Sequence, residues 1–153
     1  MLRNVCGIIL GGVTLTIVPL LSLGADQTQK VNSRASPDCL TVAAFHLDEL
    51  SITESEHLHS VIEDLAPSGT KSVHLFSSPQ ALFQPAGRRL LDLLFQRKIL
   101  RLIAIDEIHL FVHFALSFRS KFKALRPVLF DRVRATPSSR PTLVLSVLFM
   151  TAT

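Results

Sequence analysis

Short runs of apolar, often β-branched residues alternate along the chain with segments whose apolar positions recur every three or four residues. The runs predict strands at residues 13–18, 40–45, 72–77, 100–105 and 142–150. The other segments predict helices at roughly 22–31, 54–65, 88–97 and 118–125. Because the runs are apolar at successive positions, both faces of each strand are expected to be buried, as in a parallel sheet. The alternation predicts an α/β fold with helices on both faces of that sheet.

Polar residues near the start of two helices are candidate N-caps. Ser22 is expected to cap the first helix and Thr53 the second, because a side-chain oxygen there can accept a backbone N–H of the first turn. The second helix has one apolar stripe, which we predict faces the sheet: Leu58, Val61, Ile62 and Leu65. Pro19 is expected to end the first strand, and Pro79 the third.

Composition limits the class of protein. The chain has 153 residues, of which 48% are hydrophobic and 18% charged, which fits one folded domain and excludes a disordered tail. The net charge of +4 permits contact with nucleic acid or an anionic membrane without demonstrating it. Cys6 and Cys39 lie in no CxxC or Cys/His cluster, so no zinc site is expected, and reduced thiols are favoured over a single disulfide.

The first 25 residues allow a second interpretation. Arg3 precedes an uncharged stretch, residues 4–25, that resembles a signal peptide or a short membrane span of a secreted or membrane-anchored α/β protein. Gly11, Gly12 and Pro19 interrupt the apolar run, and Leu23 is large where a cleavage site prefers a small residue. We therefore favour a buried strand entering a helix, and contact with a membrane is not expected.

The sharpest candidate for chemistry follows the fourth strand. Asp106 and Glu107 come directly after the apolar run, and His109 lies two residues further on. In open parallel sheets, ligands bind beyond the carboxyl ends of the strands. A carboxylate there can hold Mg²⁺ through its water shell beside nucleotide phosphates, and its neighbour can orient or deprotonate an attacking water. Strands also end in acidic residues simply because they reach solvent, so this pattern alone does not decide the function.

Four segments, at residues 11–27, 76–80, 106–109 and 151–153, each follow or contain an apolar run. Taken in that order, they resemble the motifs of RecQ-type DNA helicases of the superfamily 2 DExH group. Residues 106–109 resemble motif II, and Thr151-Ala152-Thr153 resembles motif III. Residues 11–27 resemble motif Ia, and residues 76–80 resemble motif Ib. The segment after His109, with Phe114, Phe118 and Arg119, is similar to the aromatic-rich loop of that family. The segments keep the family's order over nearly the whole chain.

The resemblance implies a partial helicase ATP-binding domain over residues 1–153, with the three-layer RecA-like fold of a first motor domain. It implies that Asp106 serves Mg²⁺ and that Glu107 activates water for ATP hydrolysis. His109, Thr151 and Thr153 would couple the nucleotide site to DNA. A nuclear or otherwise intracellular location is expected on the same ground, with a secreted or membrane location if residues 1–25 are a signal segment.

The resemblance also implies a DNA-binding surface. Its expected members are Pro19, Ser22, Ser78, Pro79, Phe114 and Arg119. The first four also suit ordinary turn and cap chemistry, and the aromatic residues of this region also suit core packing. A second hypothesis is therefore a non-catalytic nucleic-acid-binding remnant that uses the cations Arg119, Lys121, Lys123 and Arg126.

Departures from the family pattern lower the expected activity. No GxxxxGK[ST] phosphate-binding loop occurs, and Gly69-Thr70-Lys71-Ser72 precedes a strand rather than a helix. Gln80 stands where Glu is usual, and Phe114 where Trp is usual. The fold is expected to be incomplete, without the phosphate-loop strand and the second motor domain. ATP-dependent 3′-to-5′ unwinding is therefore not expected of this chain unaided.

Overall fold

The strands form a single parallel sheet in a computed structural model that describes residues 9–19, 21–33, 41–66, 69–107, 125–135 and 145–151. They are β1 Gly12–Ile17, β2 Thr41–His46, β3 Ser72–Ser77, β4 Leu100–Ile105 and β5 Ser146–Phe149. Their order in the sheet is β2-β3-β1-β4-β5, and every pair is parallel. The five-stranded α/β sheet confirms the predicted fold class and is consistent with a RecA-like fold. Residues 142–144 of the predicted last strand lie outside the described residues.

Helices connect the strands. They are α1 Leu21–Asn32, α2 Ile52–Glu63, α3 Pro79–Phe83, α4 Pro85–Gln96, a π-helical segment Arg126–Phe130, and α5 Asp131–Ala135. The short helix α3 was not predicted, because Pro79 suggested only the end of a strand, whereas proline also suits the first position of a helix. Residues 118–124 of the predicted fourth helix lie outside the described residues, and the helical segment at 126–135 was not predicted.

Both N-cap predictions were wrong. Helix α2 begins after Ser51, whose hydroxyl accepts the N–H of Glu54 at 3.2 Å while the Glu54 carboxylate accepts the N–H of Ser51 at 2.9 Å. Because Ser51 and Glu54 form this capping box, the helix begins before Thr53, which lies inside its first turn. The Ser51 hydroxyl also holds the pKa of Glu54 below its usual value. Ser22 lies within the first turn of α1, which already begins at Leu21.

The two faces of the sheet bury different helices. The larger core lies on one face, where alternate strand residues such as Leu15 and Leu75 share a cluster with residues of α2 and α4. The predicted stripe of α2 is confirmed, since all four of its members are buried there. On the other face, α1 places Val31 against Phe76. Helices cover both faces of the sheet, as predicted, and strands β1, β3 and β4 are accordingly buried at successive positions.

The apolar stretch near the N-terminus contains the central strand of the sheet. β1 lies between β3 and β4, and all six of its residues are buried. In the part of the chain that the structure describes, no helix is long and apolar enough to cross a membrane. The strand predicted at residues 13–18 is confirmed by β1 itself, which covers Gly12–Ile17.

Helix α2 depends on α4 for its C-terminal cap. The guanidinium of Arg97, at the end of α4, donates hydrogen bonds to the carbonyls of Ile62, Glu63 and Leu65 at 2.9, 3.0 and 3.2 Å. The last carbonyls of a helix lack the regular partner four residues on, although the Ile62 carbonyl also accepts the N–H of Leu65 at 3.2 Å. A cation at this end also interacts favourably with the helix dipole.

We therefore expect Arg97→Ala to lower the free energy of unfolding by about 2 kcal/mol, because three charge-assisted hydrogen bonds are lost together. Chemical denaturation of the two variants checks this. Arg89→Ala removes an exposed arginine from the same helix and is expected to cost less than about 0.5 kcal/mol. Equal losses for the two variants would contradict the capping role.

Candidate functional site

The carboxyl ends of all five strands meet at one edge of the sheet, which we call the carboxyl edge. Backbone hydrogen bonds join neighbouring ends: Val18 donates to the Ser77 carbonyl at 2.9 Å, and Asp106 donates to the Ile17 carbonyl at 3.0 Å. Met150 donates to the Ile105 carbonyl at 2.9 Å. The segments that resemble motifs Ia, Ib, II and III therefore converge here, as expected, for the residues that the structure describes.

Asp106 and Glu107 lie between the ends of β1 and β5. Both are half-buried, and the N–H of Glu107 donates to Oδ1 of Asp106 at 3.1 Å. Glu107 has a φ of 52°, a left-handed conformation that costs a residue with a side chain on the order of 1–2 kcal/mol. Such backbone strain is concentrated at functional sites in proteins. It places the two adjacent carboxylates on a sharp turn at the carboxyl edge.

The donor set can be tested against Mg²⁺. Among the described residues, no group of three His, Cys, Asp or Glu side chains is arranged to hold a metal ion. Mg²⁺ is commonly bound through one or two carboxylates while it keeps several waters and contacts substrate phosphates. One half-buried carboxylate at Asp106, oriented by the Glu107 N–H, fits that mode, in which the cation would neutralise phosphate charge.

Ser78 and Pro79 start helix α3 at the neighbouring strand end. Ser78 is the N-cap, and its hydroxyl oxygen accepts the N–H of Ala81 at 3.3 Å. Its own N–H donates to Oδ2 of Asp48 at 2.8 Å, and its hydroxyl donates to Oδ1 of the same carboxylate. Pro79 is buried at the first helical position. The carboxylate of Asp48 therefore holds the start of α3 against the end of β2.

Asp48 was missed in the sequence. It lies two residues beyond β2, so the rule that selected Asp106, an acidic residue just after an apolar strand, could have selected it too. Asp48 also borders a cavity of about 310 Å³ that Gln80 and residues of α2 and α4 line. The separation of 30 residues between Asp48 and Ser78 gives no local signal of their contact.

His46 extends this polar cluster towards α1. The ring is buried, with Nε2 at 3.5 Å from Oδ2 of Asp48 and Nδ1 at 3.4 Å from Oε2 of Glu49. The contact to Asp48 is close enough for an ion pair but does not have hydrogen-bond geometry. Gly24 of α1 packs directly on the ring, because a Cβ atom there would lie 2.4 Å from Nε2. Helix α1, which contains the second half of the segment resembling motif Ia, therefore packs on the polar cluster beside the segment resembling motif Ib.

The other predicted site residues are placed as follows. Pro19 is half-buried at the end of β1, Ser22 is exposed in the first turn of α1, and Thr151 is exposed just beyond β5. Four further predicted residues lie outside the described residues: His109, Phe114, Arg119 and Thr153. The roles of all of them stay predictions.

Lys71 lies at the opposite edge of the sheet. Its carbonyl accepts the N–H of Gly12 at 2.8 Å, and Ser72 is the first residue of β3. Residues 69–72 therefore enter the sheet at the amino ends of the strands, a full strand length from Asp106. They do not contribute to the carboxyl edge, in agreement with the interpretation of that segment as something other than a phosphate loop.

Comparison with known proteins supports the resemblance. The chain is similar to the ATP-dependent DNA helicase hus2/rqh1 of Schizosaccharomyces pombe, with 32% identity over 127 residues. The chain resembles part of a DNA helicase. The match spans 82% of this chain and 9% of the length of that helicase. No family model matches the chain, and no solved structure gives a significant match.

Proposed function

We propose that the chain is part of the first RecA-like motor domain of a RecQ-type DNA helicase, and that its carboxyl edge binds single-stranded nucleic acid. One observation carries the proposal: the strand ends with motif-like segments are neighbours, joined by backbone hydrogen bonds at one edge. The similarity to an ATP-dependent DNA helicase supports it. The activity of the whole motor would be ATP-dependent 3′-to-5′ DNA unwinding, in the nucleus or elsewhere inside the cell.

Nucleotide chemistry would use the turn after β4. Asp106 would hold Mg²⁺ through its water shell, and Glu107 would orient the attacking water. His109, Thr151 and Thr153 would couple this turn to the nucleic acid. No GxxxxGK[ST] occurs in the sequence, so no cradle of backbone N–H groups and no lysine of that kind would hold the phosphates. We expect this chain unaided to bind Mg·ATP weakly or not at all and to show no measurable ATP hydrolysis.

The nucleic-acid track would run along the ends of β1 and β3. Pro19 and Ser22 would contact it from one strand end, whereas Ser78 and Pro79, which are buried, would hold the start of α3 beside it. Phe114 and Arg119 are included on the resemblance alone. Arg88 and Arg89 are exposed near the start of α4, which begins directly after α3. They would therefore add positive charge close to the strand end at which α3 begins. Phosphate contacts from arginines supply affinity that does not depend on base sequence.

Binding of a fluorescent single-stranded oligonucleotide, followed by anisotropy at low salt, tests the proposal. The double substitution Arg88→Gln and Arg89→Gln is expected to weaken binding roughly fivefold or more, since each lost phosphate contact also removes counterion release. The matched control, Lys71→Gln with Lys98→Gln, removes the same charge from the amino edge. Its expected effect is less than about twofold.

Two results would contradict the proposal. Absence of binding by the unchanged chain at low salt would exclude a nucleic-acid surface. Equal weakening by the two double variants would show that net charge, rather than the carboxyl edge, determines the affinity. The salt dependence of the unchanged chain distinguishes phosphate contacts from base stacking, because only the former gives a steep slope.

A further inference from the structure

We propose that the outer edge of β5 pairs with the same strand of a second copy of this chain, in antiparallel orientation, to form one continuous sheet across a two-fold axis. This inference does not rest on the proposed function. It rests on whether the backbone groups at each edge of the sheet already have hydrogen-bond partners, and on the sequence of β5.

The edge formed by β2 is closed by a side chain. The amide of Asn32 donates to the carbonyl of Ala44 at 2.9 Å and accepts the N–H of Ala44 at 2.8 Å. Leu47 N–H donates to the Phe76 carbonyl of β3, so Ala44, three residues earlier, turns its backbone groups outwards. The Asn32 side chain thus forms the hydrogen bonds that a further strand would form with Ala44. An edge covered in this way is less able to pair with the edge of another sheet.

The edge formed by β5 has no such protection in the described part of the chain. β5 pairs with β4, and no described strand lies on its other side. Three of its residues are half-buried and Phe149 is 54% exposed, whereas β1, β3 and β4 are buried throughout. An uncovered apolar edge of this kind favours the addition of a strand.

The backbone groups that face outwards can be assigned. Met150 N–H donates to the Ile105 carbonyl of β4, so the groups of Leu148 and Ser146 also point to β4. The N–H and C=O groups of Val147 and Phe149 therefore point away from β4. These are the groups that a further strand would bind.

The sequence of β5 favours a copy of itself as the partner. No ionic side chain occurs between Pro141 and Thr153, so two such strands meet without ionic repulsion and without desolvation of charge. A strand that pairs with its own copy in a closed dimer must do so about a two-fold axis, which requires the antiparallel arrangement. Each outward N–H then meets an outward carbonyl of the other copy.

Sedimentation velocity of the full 153-residue chain, over roughly a hundredfold range of concentration, tests the pairing. A reversible monomer–dimer equilibrium is expected. Val147→Pro removes an outward N–H and leaves the hydrogen bonds to β4 intact, so the dimer dissociation constant is expected to rise roughly tenfold to a hundredfold. Val147→Ala, the matched control, shortens the same side chain and keeps the N–H, and a change of less than about threefold is expected.

A second pair of variants covers the case in which Val147→Pro does not fold, which circular dichroism would show. Phe149→Lys puts a charge on the edge and is expected to give a monomer. Ile52→Lys makes the same kind of exchange at an exposed apolar residue of α2 and is expected to keep the dimer. A monomer at every concentration, a series of assemblies larger than the dimer, or a dimer that persists in Phe149→Lys would overturn the proposal.

Discussion

Gly12→Ala is expected to lower the free energy of unfolding by about 3 kcal/mol or more, from strain and overpacking together. Gly12 begins the central strand with a φ of 65°, which a residue with a side chain rarely adopts. A Cβ atom there would lie 2.5 Å from the Ile99 carbonyl oxygen and 2.9 Å from Cγ of Arg101. That carbonyl accepts the N–H of Val13 at 2.8 Å, so it cannot retreat without loss of a sheet hydrogen bond.

Denaturant unfolding of Gly12→Ala beside Gly69→Ala measures this effect. At Gly69 the nearest atom to an added Cβ is the Ala66 carbonyl oxygen at 3.2 Å, and φ is not in the left-handed region. A cost below about 1 kcal/mol is therefore expected for the control. If the free energy of unfolding of Gly12→Ala lies within about 0.5 kcal/mol of that of the unchanged chain, Gly12 does not make the close contacts with Ile99 and Arg101 described above.

Asp48→Ala is expected to lower the free energy of unfolding by about 2–3 kcal/mol and to loosen the start of α3. Asp48 and Ser78 are 11% and 4% exposed, so both the N–H and the hydroxyl of Ser78 would lose their acceptor in a buried place. Buried donors without acceptors are costly because water cannot replace the lost partner. Asp48→Asn keeps one acceptor oxygen and is expected to cost about half as much.

Glu49→Ala is the matched control for this position. It removes the neighbouring carboxylate, which is 60% exposed and lies 3.4 Å from Nδ1 of His46. A smaller effect, below about 1 kcal/mol, is expected, because the Glu49 carboxylate lies largely in water and its 3.4 Å contact with the buried His46 ring is a long hydrogen bond. Denaturant unfolding reports the stability, and the oligonucleotide assay reports whether a loosened Ser78 weakens binding. Equal costs for Asp48→Ala and Glu49→Ala would show that the Asp48–Ser78 contact does not hold α3.

Much of the sheet was predictable because the burial of a strand can be inferred from the residues of that strand alone. Strands β1, β3 and β4 are buried at all six positions, and their mostly apolar sequences imply a parallel sheet whose carboxyl ends share one edge. Asp106 and Thr151 could therefore be assigned to the same edge before the structure was known. The strand order could not be predicted from the same pattern, because burial shows that a strand has neighbours without showing which ones.

The polar contacts that shape the site were not predictable, for a different reason. Asp48 and Ser78 are 30 residues apart, and Asn32 reaches Ala44 over 12 residues. Such contacts depend on the packing of whole elements, and a single sequence has no periodicity that records them. The capping box at Ser51 and Glu54 was missed in favour of Thr53, although its signature, a serine followed three residues later by glutamate, is present in the sequence.

The most direct test of the central claim, that this chain is part of a RecQ-type motor domain, is to restore a phosphate loop. A RecQ-type segment with strand and GxxxxGK[ST] loop is fused before residue 1, and Mg·ATP binding is measured by calorimetry beside the unfused chain. The expected result is no saturable binding by the chain alone and saturable binding by the fusion. That binding should fall at least about tenfold in Asp106→Ala and stay unchanged in the exposed control Glu56→Gln. A folded fusion that binds no Mg·ATP, or that binds it equally well after Asp106→Ala, would contradict the account.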